Sequence, residues 1–241
     1  MVGPQFPAAD FSPLLGTPAS VGFWERRTSV RRGHEHEEDK IVANASPLGW
    51  YSRGYQPHLN VPGLVQSITT HLADSMPRAT LRRLMAETEH DDVARRRRLE
   101  DLLDAGHGAC WLRRPDIGAL VEETLLAGDG KRYRLLAWVV MPNHMHVLIE
   151  TLPAIALAEV VKGWKGQTAR AANARLGRSG TFWERDYYDR YIRDDAHLAA
   201  VVRYIERNPV KAGLVAQGEE WPFGSARLRG PGLKSRSPGA D

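Results

Sequence analysis

Cysteine is almost missing: Cys110 is the single one in 241 residues. No intramolecular disulfide can therefore staple the chain, and its stability must come from an apolar core. A lone cysteine of this kind reads as a small buried apolar residue and fits a reducing compartment. No apolar run approaches the roughly 18 residues that a membrane helix needs, so no membrane partner is expected. Met1 to Gly16 has no basic start followed by an apolar stretch, so no secretory signal is expected and the cytoplasm is the expected location. There is no internal repeat. There is also no GxxxxGK[ST] loop to cradle nucleotide phosphates, so no nucleotide cofactor is expected. Charge of one sign is only mildly in excess, 33 Lys and Arg against 29 Asp and Glu, for a net charge of +4 and a pI near 9.3. That balance permits a nucleic-acid partner without demanding one.

What is present is enough for a soluble core: 42% of residues are hydrophobic and 26% charged. The apolar material is unevenly spread. Pro4, Pro7, Pro13 and Pro18 punctuate the start, and Arg26 to Lys40 is nearly all charged or polar. Residues 1–50 are therefore expected to be a tail, as are residues 229–241, leaving a folded domain over 51–228.

Within that domain Leu64 to Ala73 has the β-branched composition of a strand, broken by Pro77. Leucines at helical spacing from Thr80 to Ala105 predict a helix, or a helix in two pieces. Ile117 to Leu126, between Pro115 and Gly128, predicts another. Two apolar strands follow, Tyr133 to Met141 and His144 to Glu150, with Pro142-Asn143 as a tight turn between them. Leu157 to Leu176 reads as a helix ended by Gly177, and Tyr187 to Arg193 as a strand. A last helix starts at a cap on Asp194 or Asp195 and ends at Pro209 and Gly213. Strands joined by a short turn pair antiparallel, so the expected class is α+β, an antiparallel sheet with helices mainly on one face.

Two groups of residues carry chemistry. His144 and His146 flank one residue on a strand, so both imidazoles point to the same face and can share one divalent cation. For an isolated HxH, a pair of histidines on a solvated face is the commoner reading. Here the strand is otherwise strongly apolar, which makes the placement pointed. His34-Glu35-His36 repeats the motif in a charged stretch with no strand pattern to orient the rings, and is read as incidental. Tyr204 and Asn208, four residues apart near the end of the last helix, share one helix face. An amide oxygen there can complete a cation site, and a phenol beside a cation can become a nucleophile because the cation favours its ionised form. From spacing alone, a core tyrosine and a helix-end asparagine are the commoner reading.

Five segments in fixed order, WYSRGYQPHLNVPGLVQSITTHLADSMP, AWVVMPNHMHVLIE, FWERDYYDRYIRDDAHL, YIERNPVKAGLV and WPFGSA, resemble the REP-associated tyrosine transposases, relatives of the single-tyrosine insertion-sequence transposases of the HUH type. The likeness runs from about Trp50 to Ala226. It implies a ferredoxin-like antiparallel sheet, His144 and His146 as metal ligands, Asn208 as the third, amide ligand, and Tyr204 as the nucleophile. It further implies a Mg²⁺ or Mn²⁺ ion that polarises the scissile phosphate, and cleavage and rejoining of single-stranded hairpin DNA through a 5′-phosphotyrosine link in a nucleoid-associated protein. Insertion-sequence relatives more often have Gln where Asn208 stands, while the REP-associated branch shows Asn. The chain is expected to act as a monomer or a homodimer. The runner-up reading is a catalytically silent protein of the same fold that binds structured DNA.

Tyr187, Tyr188 and Tyr191 are rival nucleophiles without an amide at helical spacing, and are read as packing or base-stacking residues. Lys165, Arg190, Arg193 and Lys211 are candidate DNA contacts, with a solvated surface as the equal alternative. The run Arg95 to Arg98 is read as a solvated helix surface paired with Glu100 and Asp101. Trp164, Trp183 and Trp221 are read as core.

Overall fold

The computed structural model describes residues 49–52, 57–88 and 91–228. The expected tails lie outside these residues, except that Gly49 and Trp50 begin a strand; His34 and His36 lie outside as well. Two short strands, β1 (Gly49–Ser52) and β2 (Pro57–Asn60), form their own antiparallel pair. The main sheet has four strands: β3 (Val65–His71), β4 (Tyr133–Val140), β5 (His144–Thr151) and β6 (Tyr188–Tyr191). Their order is β4-β5-β3-β6 and every pairing is antiparallel. With a helical connection before β4 and another before β6, this is the ferredoxin-like arrangement, and the α+β expectation holds.

Both faces of β5 are covered, which is why its sequence reads as nearly continuous apolar residues rather than a strict alternation. Met145, Val147 and Ile149 point to one face, His144, His146 and Leu148 to the other. On the first face lie helices α3 (Pro115–Gly128) and α4 (Leu157–Arg175), side by side. β4 grips both. Trp138 Nε1 donates to Glu122 of α3 at 2.8 Å, Tyr133 Oη donates to the Leu125 carbonyl at 2.6 Å, and the Trp164 indole of α4 donates back to Tyr133 Oη at 2.9 Å. Burying a Val, Leu or Ile side chain contributes roughly 1.5–3 kcal/mol. The sheet buries a long run of them, Ile68, Leu135, Val147, Leu148 and Ile149 all at 0% exposure. Trp164, Trp183 and Trp221 are core, as expected.

The histidine face is covered by α5 (Asp195–Lys211). Asp194 caps it, accepting from the His197 backbone N–H at 2.7 Å. Leu198, Val202, Ile205 and Pro209 are buried. The helix does not stop at Pro209, as its sequence suggests, but runs two residues further to Lys211. A proline removes one main-chain donor, and here the buried ring packs in place of that bond. The turn at Gly213, φ +68°, ends the helix, a conformation open to glycine without a Cβ penalty.

The predicted helical stretch over Thr80–Ala105 is two helices, α1 (Arg78–Glu87) and α2 (Asp92–Asp104). Met76, Leu84, Leu99 and Leu103 form a small core of their own, against which Tyr188 packs. The arginine run on α2 pairs differently from expectation. Arg98 meets Glu87 at 2.7 Å and Arg95 donates to Thr88, both on or beside α1, because the helix hairpin brings α1 alongside. β6 is shorter than the expected strand at both ends.

Candidate active site

β5 starts directly after the Pro142-Asn143 turn, so His144 is its first residue and His146 shares its face. Both are 1% exposed, and their rings lie edge to face with centroids 4.8 Å apart. Each ring is held by its Nδ1. That of His144 bonds Asn143 Oδ1 at 2.7 Å; that of His146 bonds the Thr69 hydroxyl at 2.8 Å, Thr69 being its register partner on β3. The Nε2 atoms of both rings have no hydrogen-bond partner. This is how metal-binding histidines are oriented: one nitrogen anchored, the other left as a lone pair.

α5 lays Tyr204 and Asn208 across this end of the strand. The Tyr204 ring meets His146 edge to face at 5.3 Å between centroids. Asn208 is wholly buried, and neither its Oδ1 nor its Nδ2 finds a partner. An amide with both polar ends buried and unbonded is costly unless something else engages it. Of the expected four residues, His144, His146 and Tyr204 meet through their rings, and Asn208 lies one helical turn beyond Tyr204 on α5. Among the described residues no three His, Cys, Asp or Glu groups stand as a ready-made metal cluster, and the Asn208 amide is a further buried donor. Two imidazole nitrogens and an amide oxygen, all buried and unbonded, fit a divalent cation.

The electrostatics support that fit. Burial, and less strongly the Lys211 charge, pull the His146 pKa down from 6.5 to about 3; burial also holds His144 well below the ordinary imidazole range. Both rings are therefore neutral and able to ligate near neutral pH. Burial pushes the Tyr204 phenol well above its usual range, and the carboxylates of Glu100 and Asp104 push it further. A positive charge beside the phenol would favour its ionised form.

Glu100, Asp101 and Asp104 on α2 were not read as site residues. Asp104 Oδ1 lies 3.8 Å from His144 Nε2, and Lys211 Nζ lies 2.9 Å from Asp104 Oδ2 and 3.7 Å from Asp101. The only signal in the sequence was the four-residue spacing of Glu100 and Asp104 on one helix face, and nothing local links that face to the histidine strand. A cleft of about 320 Å³, lined among others by Glu100, His146, Tyr188, Arg190, His197 and Tyr204, opens from this site between α2, β6 and α5.

The candidate DNA contacts divide. Arg190 lines that cleft, and Arg193 is exposed near the start of α5. Lys211 is engaged by Asp104 and Asp101. Lys165 is mostly buried and donates to the carbonyls of Arg185 and Asp186 at 3.1 and 2.8 Å, which makes it a brace for the segment before β6. Of the rival tyrosines, Tyr187 is buried and stacked on His58 at 4.1 Å, Tyr188 packs on the α1–α2 core, and Tyr191 is 38% exposed. His58 was missed altogether. It is buried between two carboxylates, Asp189 at 2.5 Å and Asp186 at 3.0 Å, and ties β2 to the β6 region.

The family model described as "Transposase IS200 like" matches residues 121–208, a span holding His144, His146, Tyr204 and Asn208. Over that span the chain is similar to those transposases. The particular relatives it matches are REP-associated tyrosine transposases. That of Escherichia coli K12 is 34% identical over 94 residues, covering 38% of this chain and 53% of the relative. A Haemophilus influenzae protein assigned to the same class is 31% identical over 104 residues, covering 39% and 58%. The chain thus matches little more than half the length of these relatives. A solved REP-associated tyrosine transposase bound to a REP hairpin is similar with a TM-score of 0.46 and 20% identity, over 71% of this chain and 81% of that one. Among the described residues no helix is long and apolar enough to cross a membrane.

Proposed function

We propose that this protein is a DNA nickase and strand transferase that cuts and rejoins single-stranded DNA beside hairpins, with Tyr204 as nucleophile. The observation that carries the reading is the meeting of Tyr204 with His146 beside three buried donor atoms that have no partner, His144 Nε2, His146 Nε2 and Asn208 Oδ1. These three would hold a Mg²⁺ or Mn²⁺ ion, which when bound supplies positive charge to the scissile phosphate and to the phenolate. The sequence likeness to REP-associated tyrosine transposases supports DNA as the substrate.

The residues have distinct tasks. Asn143 and Thr69 hold the two imidazoles with their Nε2 atoms facing inward. α5 places the phenol one turn from the amide, and its buried face fixes that turn against the sheet. Tyr204 Oη attacks phosphorus and loses its proton. The bond from phosphorus to the 3′ oxygen breaks, and that oxygen takes up a proton to leave as a 3′-hydroxyl. The 5′ end stays on the tyrosine as a phosphodiester. A second 3′-hydroxyl reverses the step, so one bond is exchanged for another of the same kind and no nucleotide is consumed.

A covalent-capture experiment tests this. Labelled single-stranded hairpin DNA and Mn²⁺ should give a denaturation-resistant adduct with the wild type, lost in Tyr204→Phe and in EDTA. Cleavage that survives Tyr204→Phe sinks the assignment of the nucleophile. Binding without any cleavage, across several metals and hairpins, favours a silent DNA-binding protein instead.

A further inference from the structure

We propose that Asp104, at the end of α2 and upstream of the residues matched by the family model, is the anionic ligand of the divalent cation held by the histidine pair. The inference rests on the reading of His144 and His146 as cation ligands. It begins with the tautomer of His144. Asn143 Nδ2 donates to the His107 carbonyl at 3.0 Å, which turns Asn143 Oδ1 towards His144 Nδ1 at 2.7 Å. An amide oxygen only accepts, so Nδ1 carries the proton and Nε2 presents a lone pair.

That lone pair faces a carboxylate. Asp104 Oδ1 is 3.8 Å away, too far for a hydrogen bond, and neither atom has a hydrogen-bond partner. Two electron-rich atoms facing each other in a buried space repel, and a cation between them turns the repulsion into two bonds. The spacing suits this. Ligand nitrogen and oxygen atoms sit about 2.1 Å from such an ion, so two ligands of one ion lie at most about 4.2 Å apart. The second carboxylate oxygen is already taken by Lys211 at 2.9 Å, which aims Oδ1 at the histidine. Leu103, 1% exposed in the α1–α2 core, anchors the helix end. The chemistry also asks for such a ligand: His144, His146 and Asn208 are all neutral, whereas Mg²⁺ and Mn²⁺ sites usually include a carboxylate.

The test is Mn²⁺ affinity, measured by titration calorimetry and electron paramagnetic resonance on the full chain without DNA. Wild type should bind and His146→Ala should not. Asp104→Asn should weaken binding by roughly tenfold to a hundredfold. Asp101→Asn should stay within about twofold, the spread expected for a charge outside the coordination shell. Lys211→Met removes the ion pair but keeps the carboxylate, and should still bind. Melting curves check that each variant is folded. Equal affinity of Asp104→Asn and wild type, with binding lost in His146→Ala, overturns the role of Asp104 and leaves the histidine site standing. Equal losses in Asp104→Asn and Lys211→Met show that the ion pair only holds α2 in place, and overturn it too. A wild type that binds no Mn²⁺ overturns both readings.

Discussion

The Tyr204 ring stands edge to face against His146, 5.3 Å between centroids and 73° between planes, although one comes from the last helix and the other from a central strand. The contact fixes the phenol at the mouth of the histidine site. It also makes Tyr204→Phe a clean probe, since the ring and its packing stay and only the buried hydroxyl is removed. The melting temperature of that variant should be within a few degrees of wild type and its hairpin affinity intact, while covalent adduct is absent.

Asn208→Ala should leave the fold standing, because the amide makes no hydrogen bond in the protein. Adduct formation should fall by a factor on the order of 100 if the amide oxygen is a cation ligand. Asn208→Gln should recover part of it, since the longer side chain offers the same oxygen. Initial rates at saturating Mn²⁺ and at low Mn²⁺ check this, and rates that do not respond to either change would remove the amide from the site.

Histidine protonation should not limit cation binding in mild acid. A ligand with the ordinary imidazole pKa of 6.5 would lose about tenfold in affinity by pH 5.5 through proton competition. His146 lies near 3 and His144 well below 6.5, so both remain neutral there. Mn²⁺ affinity measured from pH 7.5 to pH 5.5 should stay nearly flat, and a tenfold fall over that range would show that the burial does not govern the pair.

His58 should make the fold less stable at alkaline pH. Burial opposes its charge, but the bonds to Asp186 and Asp189 and their charges prevail and raise its pKa from 6.5 to about 9. A raised pKa means the folded state holds the proton more tightly. The stabilisation is therefore full below pH 6.5 and is lost as pH rises through about 9. His58→Gln leaves two carboxylates without their cation and should cost on the order of 3 kcal/mol. Denaturant midpoints between pH 6 and pH 9.5 should fall for the wild type and stay flatter for the variant.

The four basic candidates should separate in a salt titration. Arg190→Ala and Arg193→Ala should weaken hairpin binding and reduce the slope of log affinity against log salt by about one each. Lys165→Met should chiefly lower the melting temperature, because its amine serves the Arg185 and Asp186 carbonyls. A reduced salt slope in Lys165→Met with unchanged stability would reverse that assignment.

Much of the site was legible because its parts are local. HxH on a strand and Tyr-x-x-x-Asn on a helix are periodic facts, and period alone puts each pair on one face. The helices and strands of the domain were readable for the same reason, down to the Asp194 cap. Proline suggests a stop at Pro209, whereas the helix accommodates it as a buried residue and runs on to Lys211. The β1–β2 pair was hidden in a segment with little apolar material, held instead by the His58 carboxylate bonds.

Sequence by itself determined which side chains could do chemistry and which pairs must share a face, since bond geometry and helical or pleated period carry that information along the chain. Tertiary structure alone decided that the two pairs face each other, that Thr69 and Asn143 orient the imidazoles, and that Asp104 comes down on His144. Those contacts join residues from separate elements. Their positions depend on how β5, α2 and α5 pack around cores that no local pattern encodes.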